Sequence, residues 1–131
     1  MKKVFIPFCF VALAAVASGN SVTLSKLPSS TQIFLREFFS DSEVVGIQID
    51  DDIDVELANG IKIDFDKRGR WKSIKSNEAY NLEFLPVLAR DYLEANFPKQ
   101  KGMEIQRKGT GYKVLLNNKN LSFSSGGIYI G

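Results

Sequence analysis

One stretch of this chain occurs twice. Leu27 to Ser40 reads LPSSTQIFLREFFS, and Leu85 to Pro98 reads LPVLARDYLEANFP. At an offset of 58 residues Leu27 meets Leu85, Pro28 meets Pro86, Leu35 meets Leu93 and Phe39 meets Phe97. The same offset pairs Ile47 with Ile105, Gln48 with Gln106, Phe65 with Phe123 and Gly69 with Gly127. A long period seen only twice predicts two copies of one supersecondary unit, because a solenoid needs further copies to cover its faces. The repeat constrains the architecture far more than it constrains the chemistry.

Each copy opens with an amphipathic helix. In the second, Leu85, Leu88, Ala89, Tyr92, Leu93 and Phe97 recur at helical spacing, predicting one buried stripe. Pro86 suits the first turn, where a missing N–H costs nothing, and Pro98 stops the helix. In the first copy Phe34, Leu35 and Phe38 hold the matching stripe, with Ile33 and Phe39 beside it.

After each helix the period drops to two. Val45, Ile47 and Ile49 alternate with Gly46, Gln48 and Asp50; Ile53, Val55 and Leu57 with Asp54 and Glu56; Ile61, Ile63 and Phe65 with Lys62 and Asp64. This is the pattern of antiparallel strands with one buried and one wet face. Asn59-Gly60 marks a hairpin turn, on the ground that both residues tolerate positive φ. Lys67-Arg68-Gly69 leads to a short strand around Trp71. The second copy repeats the order through Met103 and Ile105, Tyr112 to Leu116, Leu121 and Phe123, and Ile128 to Ile130. There Asn117-Asn118 replaces Asn-Gly, and residues 75–84 join the halves as a polar linker. The predicted class is α+β: two tandem repeats of helix plus antiparallel strands, at about 27–74 and 85–131. They form one roughly eight-stranded antiparallel sheet with two helices on one face and the other face open.

The N-terminus is legible as a targeting segment. Lys2 and Lys3 precede an apolar run from Val4 to Val16, and Ala15-Val16-Ala17 supplies small residues for a signal peptidase. The run is well short of the ~20 residues that cross a bilayer as a helix. The expectation is a signal peptide over residues 1–17, cleavage near Ala17, and a single domain over residues 18–131 in the periplasm or outside the cell. Removing 17 of 131 residues leaves 114, with 15 basic and 15 acidic side chains once Lys2 and Lys3 are gone. That balance offers no general attraction to nucleic acid or anionic lipid, and no stable membrane insertion is expected. Cys9, the sole cysteine, leaves with the segment, and the chain has no histidine.

The repeated residues resemble the PepSY-like family of small exported bacterial proteins. The likeness rests on the Leu27-Pro28 and Leu85-Pro86 helix starts, the Phe39 and Phe97-Pro98 helix ends, and VELANGIKIDFDKRGRW from Val55 to Trp71. The second half departs from the pattern, with Asn118-Lys119 at the turn glycine and Ser124 for the aspartate after Phe123. The resemblance implies a fold like that of the β-lactamase inhibitor protein, an envelope location and a binding or inhibitory role without catalytic residues.

The residues themselves give little for catalysis. Without histidine or a mature cysteine, imidazole bases, Cys–His nucleophiles and Cys/His zinc sites are excluded. Ser73 near Lys72, or Asp54 near Asp64, could be nominated, but neither carries a motif. No enzyme activity and no cofactor are expected. Asp50, Asp52 and Asp54 match the first three ligand positions of an EF-hand loop. Val55 then stands where glycine is needed, and Ile61 where the bidentate glutamate belongs. A solvated acidic turn is the simpler account. Trp71 and Tyr129 occupy matching positions and suit either partner anchors or core closure. On the wet face the outward positions are Asp54, Glu56, Lys62 and Asp64 in the first half and Lys113, Leu115, Ser122 and Ser124 in the second. The expected function is a non-enzymatic exported binding or inhibitor-like module that acts on an envelope protein through the open sheet face. Asp54, Glu56, Lys62, Asp64, Trp71 and Tyr129 are its candidate contacts. The alternative is a small-ligand or metal-binding envelope protein using the turn from Asp50 to Asp54.

Overall fold

A computed structural model of the chain describes residues 24–131. The signal segment with its expected cleavage site, Cys9, and the start of the expected domain at Ser18 lie outside the described residues. The fold is α+β, with one seven-stranded antiparallel sheet whose strands follow sequence order. Helix α1 (Ser29–Phe38) precedes β1 (Val44–Ile49), β2 (Ile53–Leu57), β3 (Lys62–Phe65) and β4 (Trp71–Ser76). Helix α2 (Val87–Asn96) precedes β5 (Met103–Lys108), β6 (Gly111–Leu115) and β7 (Asn120–Phe123). The chain divides into two compact units, the first ending at Lys72 and the second running from Ser73 to Gly131. The bounds of α1 and α2, of β2 and β6, and of β3 and β7 each differ by 58 residues.

In the first unit Pro28 precedes the helix with φ −54° and ψ 147°, extended backbone that lets the helical turns begin at Ser29. Ser30 Oγ then donates to the Arg68 carbonyl at 2.7 Å, and the fully buried Thr31 donates to the Gly69 carbonyl at 3.1 Å. These bonds tie the helix start to the turn after β3. Gly69 sits at φ +87°, and a Cβ there would come within 2.7 Å of Pro28 Cβ and Thr31 Oγ1, so a larger residue cannot be accommodated. Phe34 packs edge-on to Phe65 and near-parallel to Trp71, which closes the core over Val55, Ile63 and Phe65.

The second unit uses the same devices. Pro86 has φ −54° and ψ 146°, and Gly127 at φ +91° lies where a Cβ would meet Ala89 N and Pro86 Cβ at 2.9 Å. Leu85, Ala89, Leu93, Met103, Ile105, Val114, Leu121 and Phe123 form its core. The Tyr80 hydroxyl lies 3.0 Å from the Ile74 carbonyl and 2.9 Å from that of Met103. It clips the segment after β4 onto the β4–β5 pair, so this part of the expected linker is anchored.

The structure corrects several expectations. Leu88 is 54% exposed, because it lies about 100° of helix rotation from Ala89, off the side that packs on the strands. Phe97 is only half-buried. In β1 the register shifts between Val44 and Gly46, and this bulge turns Val44 inward in place of Val45. Ile49, at the strand end, is 52% exposed. Asn59-Gly60 belongs to a three-residue loop, in which Leu57 N–H donates to the Ile61 carbonyl and only Gly60 takes positive φ. The sheet has seven strands where eight were expected. Residues 128–131 still bond to β7: Ser124 N–H donates to the Ile128 carbonyl and Ile130 N–H to that of Ser122, each at 2.8 Å. Tyr129 adds a single bridge to Phe123, so the segment is too short to count as a strand.

Candidate functional site

Alternation in β2 and β3 sends Val55, Ile63 and Phe65 into the core and leaves their neighbours on the other face. Cross-strand register then sets those neighbours in rows. Gln48 stands opposite Asp54, and Asp54 opposite Asp64; in the next row Gly46 faces Glu56, and Glu56 faces Lys62. Asp54, Glu56 and Asp64 are partly exposed and Lys62 is exposed. Four of the sequence-derived candidates thus share one patch. Like charges directly opposite each other on a strand pair repel. In the second unit the rows read Ser73, Gln106, Lys113, Ser122 and Lys75, Glu104, Leu115, Asn120. Those two rows carry two lysines and one glutamate.

Trp71 and Tyr129 do not join the patch. Trp71 is 4% exposed and packs against Phe34, so it serves the core and is corrected out of the contact set. Tyr129 is 40% exposed, stacked on Tyr92 with ring centroids 4.5 Å apart and edge-on to Phe123. It borders the helix-bearing side of its unit.

The acidic turn is closed from within. Asp50 N–H donates to the Asp52 carbonyl at 2.8 Å, and the Asp52 carboxylate accepts from Lys72 Nζ at 2.8 Å. Lys72, once nominated beside Ser73, is therefore engaged by a carboxylate. Among the described residues no three carboxylate, histidine or cysteine side chains converge as metal ligands do.

Asp66 organises the turn after β3. One of its carboxylate oxygens accepts the N–H groups of Arg68 and Arg70 at 2.9 and 3.0 Å, and the other accepts Arg70 Nε at 3.2 Å. Partial burial pushes this carboxyl up, but the Arg70 and Arg68 N–H groups and the Arg70 guanidinium outweigh it. The net effect holds its pKa below the ordinary 3.8. In the second unit Ser124 stands in its place, and Ser124 Oγ accepts Ile128 N–H at 3.1 Å. The backbone bonds of the two turns match: Asp66 N–H to Arg70 O and Ser124 N–H to Ile128 O, both 2.8 Å.

These turns and the strands before them lie within the region recognised by a family pattern. The sequence profile of the PepSY-like family, described as beta-lactamase-inhibitor-like, matches residues 51–130. The chain belongs to the PepSY-like family. Among solved structures it is similar to a protein from Bacteroides vulgatus ATCC 8482 described as periplasmic and of unknown function. That pair shows 28% identity and a TM-score of 0.69 over 82% of this chain and 92% of that one. A protein from Bacteroides thetaiotaomicron described as calcium-regulated and periplasmic is 27% identical, with a TM-score of 0.70 over 82% and 90% of the two chains. A further periplasmic protein of Bacteroides vulgatus, from the DUF2874 family, is 28% identical with a TM-score of 0.67, over 82% and 90%. No curated protein matches the chain. No helix among the described residues is long and apolar enough to cross a membrane.

Within this PepSY-like frame, reading the sequence strand by strand found the wet-face patch and missed two features. One is the Asp66/Ser124 turn, whose role was visible in the shared offset had hydrogen-bonding capacity been compared in place of charge. The other is a pair of clefts beside the helices, where the offset sets Arg90 against Gln32 and Glu94 against Arg36.

Proposed function

We propose that this PepSY-like chain is an exported, non-enzymatic binding module that docks an envelope protein through the outward face of its first unit. The observation that carries the reading is the register that sets Asp54 opposite Asp64, beside Glu56 and Lys62, on a partly exposed sheet face. A patch with three carboxylates to one lysine suits a basic partner surface, whose complementary charge steers association. The periplasmic descriptions of the similar structures support an envelope location, and the Ala15-Val16-Ala17 site supports export with a mature N-terminus near Ser18. The matching helix, turn and strand bounds support descent of both halves from one repeated unit.

The test is affinity capture from an envelope extract, using the wild-type chain and a variant with Asp54, Glu56 and Asp64 replaced by Ser. Loss of one specific captured protein, at an unchanged melting temperature, supports docking through this face. Equal capture by both rejects it. One specific observation favours a second reading, in which the Asp50–Asp54 turn binds a cation: a similar protein is described as calcium-regulated. A ligand that binds only the folded state must raise its melting temperature. A calcium-dependent rise that Asp50→Asn and Asp54→Asn abolish would favour this second reading.

A further inference from the structure

We propose that a cleft beside α2, separate from the sheet face, binds a short peptide with a free ammonium and a free carboxylate, of about dipeptide length. The cleft has a volume of about 610 Å³ and lies between residues 79–83, the polar side of α2 and the turn after it. That volume is in the range of small-molecule sites, roughly 300–1,000 Å³. Leu82, Phe97 and Met103 give it apolar lining, while Arg90 and Lys99 supply positive charge and Glu83, Asp91 and Glu94 negative.

The first unit has a smaller cleft, of about 270 Å³, in the corresponding place. Leu24, Gln32, Arg36 and Phe39 line it, each 58 residues before Leu82, Arg90, Glu94 and Phe97. The hollow therefore belongs to the way a helix of this kind meets the segment before it. What differs is what fills it. In the first unit Gln32 Nε2 donates to the Leu27 carbonyl at 2.9 Å, which draws the lead-in segment onto the helix. At the matching position in the second unit the Arg90 guanidinium makes no ion pair or side-chain hydrogen bond with the described residues, and neither do Glu94 and Lys99. Lys99 is also the one non-glycine residue with positive φ among the described residues, at +55°. Backbone held there costs energy and tends to occur where a ligand is bound.

Arg90 and Glu94 are four residues apart on one helix, so they stand about 6 Å apart along its axis on the same side. An extended dipeptide separates its terminal charges by a similar distance, about 7 Å. The guanidinium fork suits a carboxylate, which can accept two parallel hydrogen bonds. Glu94 suits an ammonium, and it lies toward the C-terminal end of α2, where the helix dipole favours a cation. An apolar side chain on the peptide would rest against Leu82 and Phe97. Their order makes mutual pairing the weaker arrangement, since glutamate preceding the cation makes the better helical pair.

Isothermal titration of the mature chain with leucyl-alanine tests this. The expected result is saturable binding that weakens at least tenfold when the peptide is N-acetylated or C-amidated, as loss of a charge-assisted pair implies. Arg90→Gln should bind the acid and amide forms equally, and Glu94→Gln the free and acetylated forms equally, each variant retaining wild-type melting. Replacing Asp64 by Ser should leave the titration unchanged, which separates this site from the sheet face. Absence of binding at about 10 mM peptide, or binding indifferent to both α2 substitutions, would overturn the proposal.

Discussion

Single side chains in this protein act mostly by holding backbone. Asp66 gathers three donors from its own turn, and the second unit obtains the principal bond with Ser124. A change of residue type there conceals a shared job: the sequence shows a lost charge, while the structure shows a kept acceptor. The charge still has a measurable consequence. With its folded pKa below the unfolded value of 3.8, Asp66 contributes stability that is present above that value. The contribution is lost as pH falls through the folded pKa. Asp66→Asn should therefore cost less than about 1 kcal/mol of stability at pH 7 for so open a site, read as a modest fall in the urea midpoint. The gap to wild type should shrink as the pH is taken below 3.8. A gap that persists unchanged in acid would show that the carboxylate charge is not what the turn uses. At the opposite extreme of burial, Phe65→Ala should cost roughly 3–5 kcal/mol, read as a large fall in the urea midpoint, because Phe65 is fully buried against Phe34.

At the scale of elements, helices and strands were readable because burial imposes period. Val55, Ile63 and Phe65 had to point one way, and they do. The errors fall where a local backbone feature resets the period. The bulge between Val44 and Gly46 exchanged which valine is inside, and at the expected Asn59-Gly60 hairpin turn only Gly60 takes positive φ. Neither leaves a mark in a pattern of apolar residues. The segment after β4 was read as a polar linker for the same reason, since one tyrosine carries its attachment. The Tyr80 hydroxyl lies against two strand carbonyls, and its burial, with Glu104 nearby, pushes its pKa well above the ordinary tyrosine range. Tyr80→Phe removes the donor and should cost roughly 1–3 kcal/mol, seen as a lower urea midpoint. Hydrogen exchange should then quicken at Ile74 to Ser76 more than in β2 and β3. Uniform exchange changes would mean that the clip is not local.

For the whole molecule, the bounds of the helices, of β2 and β6 and of β3 and β7 differ by the same 58 residues as the sequence offset. The expected eighth strand does not form, because residues 128–131 bond to β7 over too few positions to make a strand. Function was less legible than fold because the wet face is free of packing constraints, so its residues carry no period. Trp71 shows the converse: an aromatic side chain resembles an anchor until its burial is known. What remains on the outward face of the first unit is a small charged patch whose facing carboxylates suit a basic partner. The most direct test is the association rate of the captured envelope protein at low salt, measured against wild type and the variant with Asp54, Glu56 and Asp64 changed to Ser. The account predicts a clear fall in on-rate for the variant, a weaker salt dependence, and a melting temperature that barely moves, because exposed charges of this kind contribute within about 0.5 kcal/mol each. An unchanged on-rate at low salt would contradict it and remove the sheet face as the docking surface.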